Sequence, residues 1–138
     1  MIKKIDIALE LLDTAIHCYM NSKEYFSAIH LAGASEELLG EYVRGIGGKD
    51  ILTSFAEAMH KIGLLDGNVL PVKENKKHLN NVKNSIKHKN NVHDDRIEID
   101  EEMEARNMIE RAISNFSTLN LNPTKNIIEY YKHDRQHS

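Results

Sequence analysis

The sequence predicts an all-α fold, a single up-and-down bundle of four to five main helices followed by a short C-terminal helix. Apolar residues recur at spacings of three and four along most of the chain, and no window shows the two-residue alternation of a half-buried strand. The 138 residues, 41% of them hydrophobic, suffice for one packed core and are too few for two. We therefore expect one domain that spans residues 1–138.

Two long helices are expected at the start of the chain. The first spans about Lys3 to Met20, where apolar residues follow the helical spacing. The second spans about Lys23 to Arg44 and is apolar nearly all round in its first half, as the central helix of a bundle is. Gly33 costs this helix about 1 kcal/mol relative to alanine, so we expect a close packing contact there. His30 lies in the most apolar part, which favours a buried core histidine.

The remaining helices are predicted from their end signals. Asp50 can cap a third helix, which we expect to end at Gly63. A fourth helix is expected from Val72 to about Asn91. The acidic residues from Asp100 to Glu102 suit the start of a fifth helix, because negative charge is favourable at a helix N-terminus. Pro123 then begins the short C-terminal helix.

Several classes of protein are excluded by composition. The longest uncharged run, Tyr25 to Ser35, is far shorter than the roughly 20 apolar residues of a membrane-spanning helix. The N-terminus has acidic residues within its apolar stretch and no small-residue cleavage site, so it does not resemble a secretory signal. The single cysteine, Cys18, cannot form an internal disulfide, which fits a reducing compartment. We expect a cytoplasmic protein without membrane contact.

Charge is unevenly distributed although the net charge is only −3. Residues 73–89 contain six lysines and one acid, whereas residues 94–104 contain seven acids and one base. A basic surface of this kind would attract an anionic ligand. The solvated faces of two surface helices would give the same pattern, so both interpretations stay open.

The basic segment also concentrates the polar side chains. On a continuous helix, this segment would have an apolar stripe and, roughly opposite it, a polar face. The stripe consists of Leu79, Val82 and Ile86. The polar face consists of Asn80, Asn84, Lys87, His88 and Asn91. Lys83 falls near the edge of the stripe. A histidine can exchange a proton near neutral pH, and a neighbouring cation and amide can hold a phosphate. The candidate functional residues are therefore His88, Lys83 and Asn84. The alternative is that these side chains contact only solvent, as they often do on an exposed helix.

Neither a metal nor a cofactor is expected. Bundles that bind two irons use two Glu-x-x-His pairs, and only Glu57 and His60 have this spacing. His88 and His93, with the two aspartates that follow, could gather a metal at a helix end, but such groups are common on surfaces. No glycine loop of the phosphate-cradling type is present.

Two adjacent glutamates, Glu36 and Glu37, form a further candidate pair. Glu36 lies three residues after Gly33, so it could point along the same helix face into the bundle. A carboxylate there would need a partner such as a lysine or an amide. A solvated pair of glutamates is the alternative interpretation.

Three segments resemble the HEPN superfamily. The segment KNSIKH, Lys83–His88, looks like the HEPN motif, in which an arginine is followed by a polar residue, usually asparagine, and then by a histidine. Tyr25–Gly40 resembles the second helix of small prokaryotic HEPN-like proteins, and Met108–Phe116 is similar to a later helix. The resemblance implies a bundle of four or five helices that forms a homodimer in which the two motifs meet in one cleft.

The resemblance also implies roles for individual residues. His88 would be the acid or base of a metal-independent ribonuclease, with Asn84 as a positioning amide. Lys83 stands at the arginine position as a phosphate ligand; it keeps the charge but lacks the planar two-pronged grip of arginine. The remaining candidates would contact the substrate, and they are Lys87, Glu36, Glu37, Asn80 and Asn91.

The resemblance therefore leaves two functions open. HEPN proteins include ribonucleases of toxin–antitoxin and other defence systems, which predicts an RNA substrate for this chain. Others are non-catalytic modules that bind a nucleotide, an RNA or a protein partner such as an antitoxin. The lysine at position 83 favours the second function.

Overall fold

The computed structural model describes residues 1–89 and 94–137, and these residues form helices and connecting loops without a strand. The elements are α1 (Lys4–His17), a π-helical turn (Cys18–Ser22), α2 (Tyr25–Gly45), α3 (Ile51–Asp66), α4 (Val72–Leu79), α5 (Asn81–Ser85), α6 (Glu101–Thr118) and α7 (Lys125–His137). The predicted all-α bundle is confirmed. No helix within the described ranges is both long and apolar enough to cross a bilayer.

The hydrophobic core is built from α1, α2, α6 and α7. Helix α2 packs most extensively, against α6 on one side and α1 on the other. Small residues recur on the buried faces and allow the helix axes to approach closely; they are Ala8, Ala15, Ala28, Ala32, Ala105 and Ala112. Larger side chains such as Leu12, Ile29 and Ile109 fill the remaining space. Helix α7 is tied to α1, because Thr124 Oγ1 donates to Asp13 Oδ1 over 2.7 Å.

Helices α3 and α4 form a peripheral hairpin, which we call the α3–α4 arm. Among the described residues, the buried core cluster takes no side chain from this arm. The two helices pack mainly on each other: Asn75 Nδ2 donates to the carbonyl oxygen of Ala56 over 3.1 Å. Five large apolar side chains of α3 face solvent: Phe55, Met59, Ile62, Leu64 and Leu65. The arm therefore depends on local contacts more than on the core.

Two expectations from the sequence are wrong. Helix α3 does not end at Gly63 but continues to Asp66, and Gly67, with φ +83°, ends it in the left-handed conformation. Gly63 instead allows the following loop to pass closely, because a β-carbon there would lie 2.8 Å from the carbonyl oxygen of Asn68. His30 is not a core residue but is exposed on α2, since Ala28 and Ile29 face the core in its place.

The fourth helix is not continuous from Val72 to Asn91. Helix α4 ends at Leu79, Asn80 adopts φ −94° and ψ 2°, and α5 ends at Ser85. Asn91 lies outside the described residues. The physical reason for the interruption is a side chain of α6, described below.

The two acidic helix starts differ. The side chain of Asp100 caps the N-terminus of α6, because its Oδ1 accepts a hydrogen bond of 3.1 Å from the backbone N–H of Met103. Asp50 precedes α3 but bonds the hydroxyl of Thr53 and pairs with Arg44 at 3.1 Å. The first N–H of α3, that of Ile51, donates to Asn115 Oδ1 over 2.8 Å. A side chain of α6 thus supplies the cap that Asp50 was expected to supply.

Candidate functional site

Lys83 is buried within the protein, with only 1% of its side chain exposed. Its aliphatic stem crosses α2 at Gly33, where a β-carbon would lie 2.7 Å from Cδ and 3.0 Å from Cγ of Lys83. The close packing contact predicted for Gly33 is therefore confirmed. The ammonium group pairs with Glu37 and lies 3.9 Å from Glu36 Oε1.

Glu36 is the buried centre of the charges around Lys83. Its side chain is 3% exposed and pairs with Nε of Arg111 from α6. Burial raises the pKa of the Glu36 carboxyl group, while the positive charges of Arg111 and Lys83 act in the opposite direction. Of the two interpretations left open by the sequence, the inward one describes Glu36, whereas Glu37 is exposed.

Arg111 explains the interruption between α4 and α5. Its Nη1 donates to the carbonyl oxygen of Leu79 over 2.9 Å, and its Nη2 donates to Asn80 Oδ1 over 2.7 Å. One planar guanidinium therefore bonds the Glu36 carboxylate and the last turn of α4 together. We call Lys83, Glu36, Glu37 and Arg111 the ion network.

Glu37 lies at the outer rim of the ion network, with 58% of its side chain exposed. Partial burial alone would raise the pKa of Glu37. The hydrogen bond and positive charge of Lys83 outweigh that effect, with smaller contributions from Lys87 and Arg111, and they hold the pKa below its ordinary value. Glu37 is therefore an anion at neutral pH that covers the ammonium group of Lys83.

The other motif residues face outward. Asn84, Lys87 and His88 are all exposed. The helical path continues for one turn beyond α5, because the backbone N–H groups of Lys87 and His88 donate to the carbonyl oxygen of Asn84 over 3.1 and 3.2 Å. The structure thus brings Asn84, Lys87 and His88 to one surface and places Lys83 beneath it. Asn80, a predicted substrate contact, already accepts a hydrogen bond from Arg111.

Two shallow grooves meet at Ile86. The first has a volume of about 350 Å³, and the side chains around it include Lys87, His88, Lys89, Asp94, Asp95 and Arg96. The second has a volume of about 370 Å³ and is lined by Phe26, Ser27, His30, Leu31 and Ile86. We call them the basic groove and the aromatic groove. In the basic groove three cationic side chains face two carboxylates, so it carries a formal charge of +1 with His88 neutral.

The candidate metal ligands that the structure describes do not form a metal site. Within the described ranges, no group of three or more histidine, cysteine or acidic side chains is arranged to hold a metal ion. Glu57 pairs with Lys49 at 2.5 Å, and His60 Nδ1 lies 2.8 Å from the carbonyl oxygen of Leu70. His93 lies outside the residues that the structure describes.

Sequence reasoning missed one member of the site, Arg111. A signal was present, because Arg111 follows the buried Met108 by three residues and precedes the buried Asn115 by four. An arginine on the buried stripe of a helix requires an anionic partner. Glu36, for which an inward direction was one of two interpretations, was a candidate for that partner.

Comparison with known proteins adds no assignment. No family model, no curated protein and no solved structure matches the chain. The resemblance to HEPN proteins therefore rests on the segments quoted above. The geometry gives the residues of the segment Lys83–His88 two different environments. Lys83 takes part in the ion network, whereas Asn84, Lys87 and His88 form an exposed polar surface.

Proposed function

We propose that this protein is a HEPN-like module that binds RNA without cleaving it. The observation that carries the proposal is the position of Lys83, whose ammonium group is buried in the ion network and covered by Glu37. A phosphate could reach this ammonium group only by displacing a carboxylate. The residue expected to hold the reacting phosphate therefore supports the fold instead.

The exposed part of the motif supplies the binding surface. Lys87 and His88 lie on the same turn as Asn84, and all three are exposed. Lys73 and Lys77 on α4 are also exposed and add cationic side chains to the surface of the protein. Lysine side chains on such a surface attract the phosphates of a nucleic acid and release its condensed counterions.

RNA titration at several salt concentrations tests this proposal. The affinity should fall with salt, and Lys87→Ala should weaken binding and reduce the slope of log K against log salt by about 1. Lys4→Ala, which removes an exposed lysine from α1, is the matched control and should leave both quantities unchanged. Absence of salt-dependent binding, or equal losses from the two variants, would exclude this surface as the RNA site.

Homodimer formation is proposed with it, on the HEPN resemblance alone. Two copies would then place two α5 surfaces in one cleft and double the number of phosphate contacts. Sedimentation equilibrium of the full chain measures the mass directly. A monomer at all concentrations would remove the dimer from the proposal and leave a single binding surface per molecule.

A second candidate function is metal-independent RNA cleavage, and one observation favours it. His88 is exposed one turn from Asn84, to whose carbonyl oxygen its own backbone N–H donates. In this mechanism His88 accepts the proton of a ribose 2′-hydroxyl, and the 2′-oxygen forms a bond to the adjacent phosphorus. The bond from phosphorus to the 5′-oxygen breaks, and the products are a 2′,3′-cyclic phosphate and a 5′-hydroxyl that takes the proton.

Incubation with single-stranded RNA in the presence of a chelator separates the two functions. If the protein is a nuclease, wild type should release cyclic phosphate ends. His88→Ala should then abolish cleavage, and His78→Ala, which alters another exposed histidine, should retain it. A wild-type protein that binds RNA and leaves it intact supports the binding module and excludes the nuclease.

A further inference from the structure

The aromatic groove contains an exposed aromatic side chain. Phe26 lies in the first turn of α2 and is 45% exposed, while its neighbours Ala28 and Ile29 are fully buried. His30 follows one helical turn later and is also exposed, so two flat rings are carried on the same face of α2. Ile86 lines the same groove.

The aromatic groove and the basic groove share one lining residue, Ile86. The next two residues, Lys87 and His88, line only the basic groove. The two environments therefore adjoin at Ile86. One groove offers an apolar, aromatic wall, and its neighbour offers cationic side chains.

This juxtaposition matches the two chemically different parts of a nucleotide. A base presents a flat π-face that stacks on an aromatic ring, and the phosphate beside it is anionic. Lys87 and His88 directly follow Ile86 in the chain, so among the cationic and histidine side chains of the basic groove they are the nearest in sequence to the residue that both grooves share. With the phosphate on these side chains and the base on the rings, the direction in which a nucleotide lies is fixed.

We infer that the aromatic groove stacks an unpaired RNA base on Phe26 and His30 while Lys87 and His88 hold the adjoining phosphate, so that the ligand is single-stranded RNA. The inference rests on the proposed RNA-binding function and names its substrate class. A duplex keeps both faces of its bases within the helical stack, so it has no free face to offer to Phe26. Single strands, loops and bulges do have one.

The test compares Phe26→Ala with Phe55→Ala. Phe55 on α3 is 43% exposed, so the two substitutions remove the same side chain at nearly the same exposure. Loss of one stacking contact should weaken single-stranded RNA binding by roughly 5- to 150-fold, and Phe55→Ala should leave it unchanged. Binding of inorganic tripolyphosphate, which has no base, should be the same in both variants and in wild type.

A direct signal of stacking comes from Phe26→Trp. The chain has no tryptophan, so this variant carries a single reporter and retains an aromatic ring. Its fluorescence should be quenched by single-stranded RNA and remain unchanged with duplex RNA or tripolyphosphate. Circular dichroism confirms that each variant is folded, and Phe26→Trp keeps the test informative if Phe26→Ala does not fold.

The outcomes distinguish this inference from the function on which it rests. If Phe26→Ala binds RNA as well as wild type does, the inference of base stacking is wrong. The same holds if wild type binds single strands and duplexes with equal affinity. In both cases the RNA-binding proposal is retained. Failure of wild type to bind any RNA overturns both. A change in oligomeric state on Phe26→Ala, without an effect on RNA affinity per protomer, assigns the aromatic groove to a second copy of the chain and overturns the inference.

Discussion

Replacement of the two buried cations by methionine should have very different effects on stability. We expect Lys83→Met to change the free energy of unfolding by less than about 1.5 kcal/mol and Arg111→Met to lower it by about 3–5 kcal/mol. Both residues belong to the ion network and both are buried. The difference follows from what each substitution leaves behind.

Methionine at position 83 leaves no buried charge without compensation. Its unbranched chain can follow the lysine stem across Gly33, and the Glu36 carboxylate keeps its contact with Arg111. The other partner of Lys83 is Glu37, which is largely exposed and can be hydrated. Loss of this pair therefore leaves no buried charge without a partner, because the remaining carboxylate is in contact with water.

Methionine at position 111 removes much more. Glu36 is then left with Lys83 at 3.9 Å, and two acceptors lose their donors, the carbonyl oxygen of Leu79 and Oδ1 of Asn80. The expected total is the cost of about 3–5 kcal/mol for removing one partner of a buried ion pair, because the two acceptors are only part-buried and can accept from water. The pKa of Glu36, already raised by burial, should rise further without its strongest compensating charge.

Urea denaturation followed by circular dichroism measures both variants. If Arg111→Met is too unstable to fold, the double variant Arg111→Met with Glu36→Gln should recover stability, because it removes the uncompensated carboxylate as well. Equal losses from the two methionine variants would refute the reasoning, as would full tolerance of Arg111→Met. Lys83→Met should also retain RNA binding, since the binding module does not use this ammonium group.

Further predictions concern packing, pH and local stability. Gly33→Ala should lower the free energy of unfolding by up to about 2 kcal/mol, because crowding against Lys83 exceeds the gain in helix propensity. In a Lys83→Ala background the same substitution should be stabilising. Equal effects in the two backgrounds would contradict the contact between Gly33 and Lys83. Because the pKa of Glu37 is lowered in the folded protein, wild type should have a larger free energy of unfolding than Glu37→Gln above about pH 4.5. This difference in free energy should vanish as the pH falls through the folded pKa. A difference that persists at lower pH would contradict the pairing of Glu37 with Lys83. Amide protons of the α3–α4 arm should exchange faster than those of α1, α2 and α6 in hydrogen-exchange experiments, and equal protection would show that the arm unfolds with the core.

The helical architecture could be predicted because it depends on local patterns. Apolar spacing identified the long helices, whereas the register of Glu36 with Gly33 made an inward direction one of two open interpretations. The end of α3 was misplaced at Gly63, because a glycine can serve close packing as well as termination. The sequence alone does not separate these two uses of glycine.

The interior of the site could not be predicted, because it depends on contacts between distant residues. The break at Asn80 is stabilised by Arg111, which lies 31 residues further along the chain. A rotation calculated on one continuous helix placed Lys83 at the edge of the apolar stripe, whereas the broken helix turns it inward. His30 lay in an apolar stretch, but its own position faces away from the core.

The segment 81–88 separates side chains that a substitution would affect in different ways. Lys83 is buried in the ion network, whereas His88 is exposed and belongs to no pair of that network. Lys87 is exposed as well, but its charge helps to lower the pKa of Glu37. Position 88 is therefore the one at which the surface can be changed with the least effect on the interior.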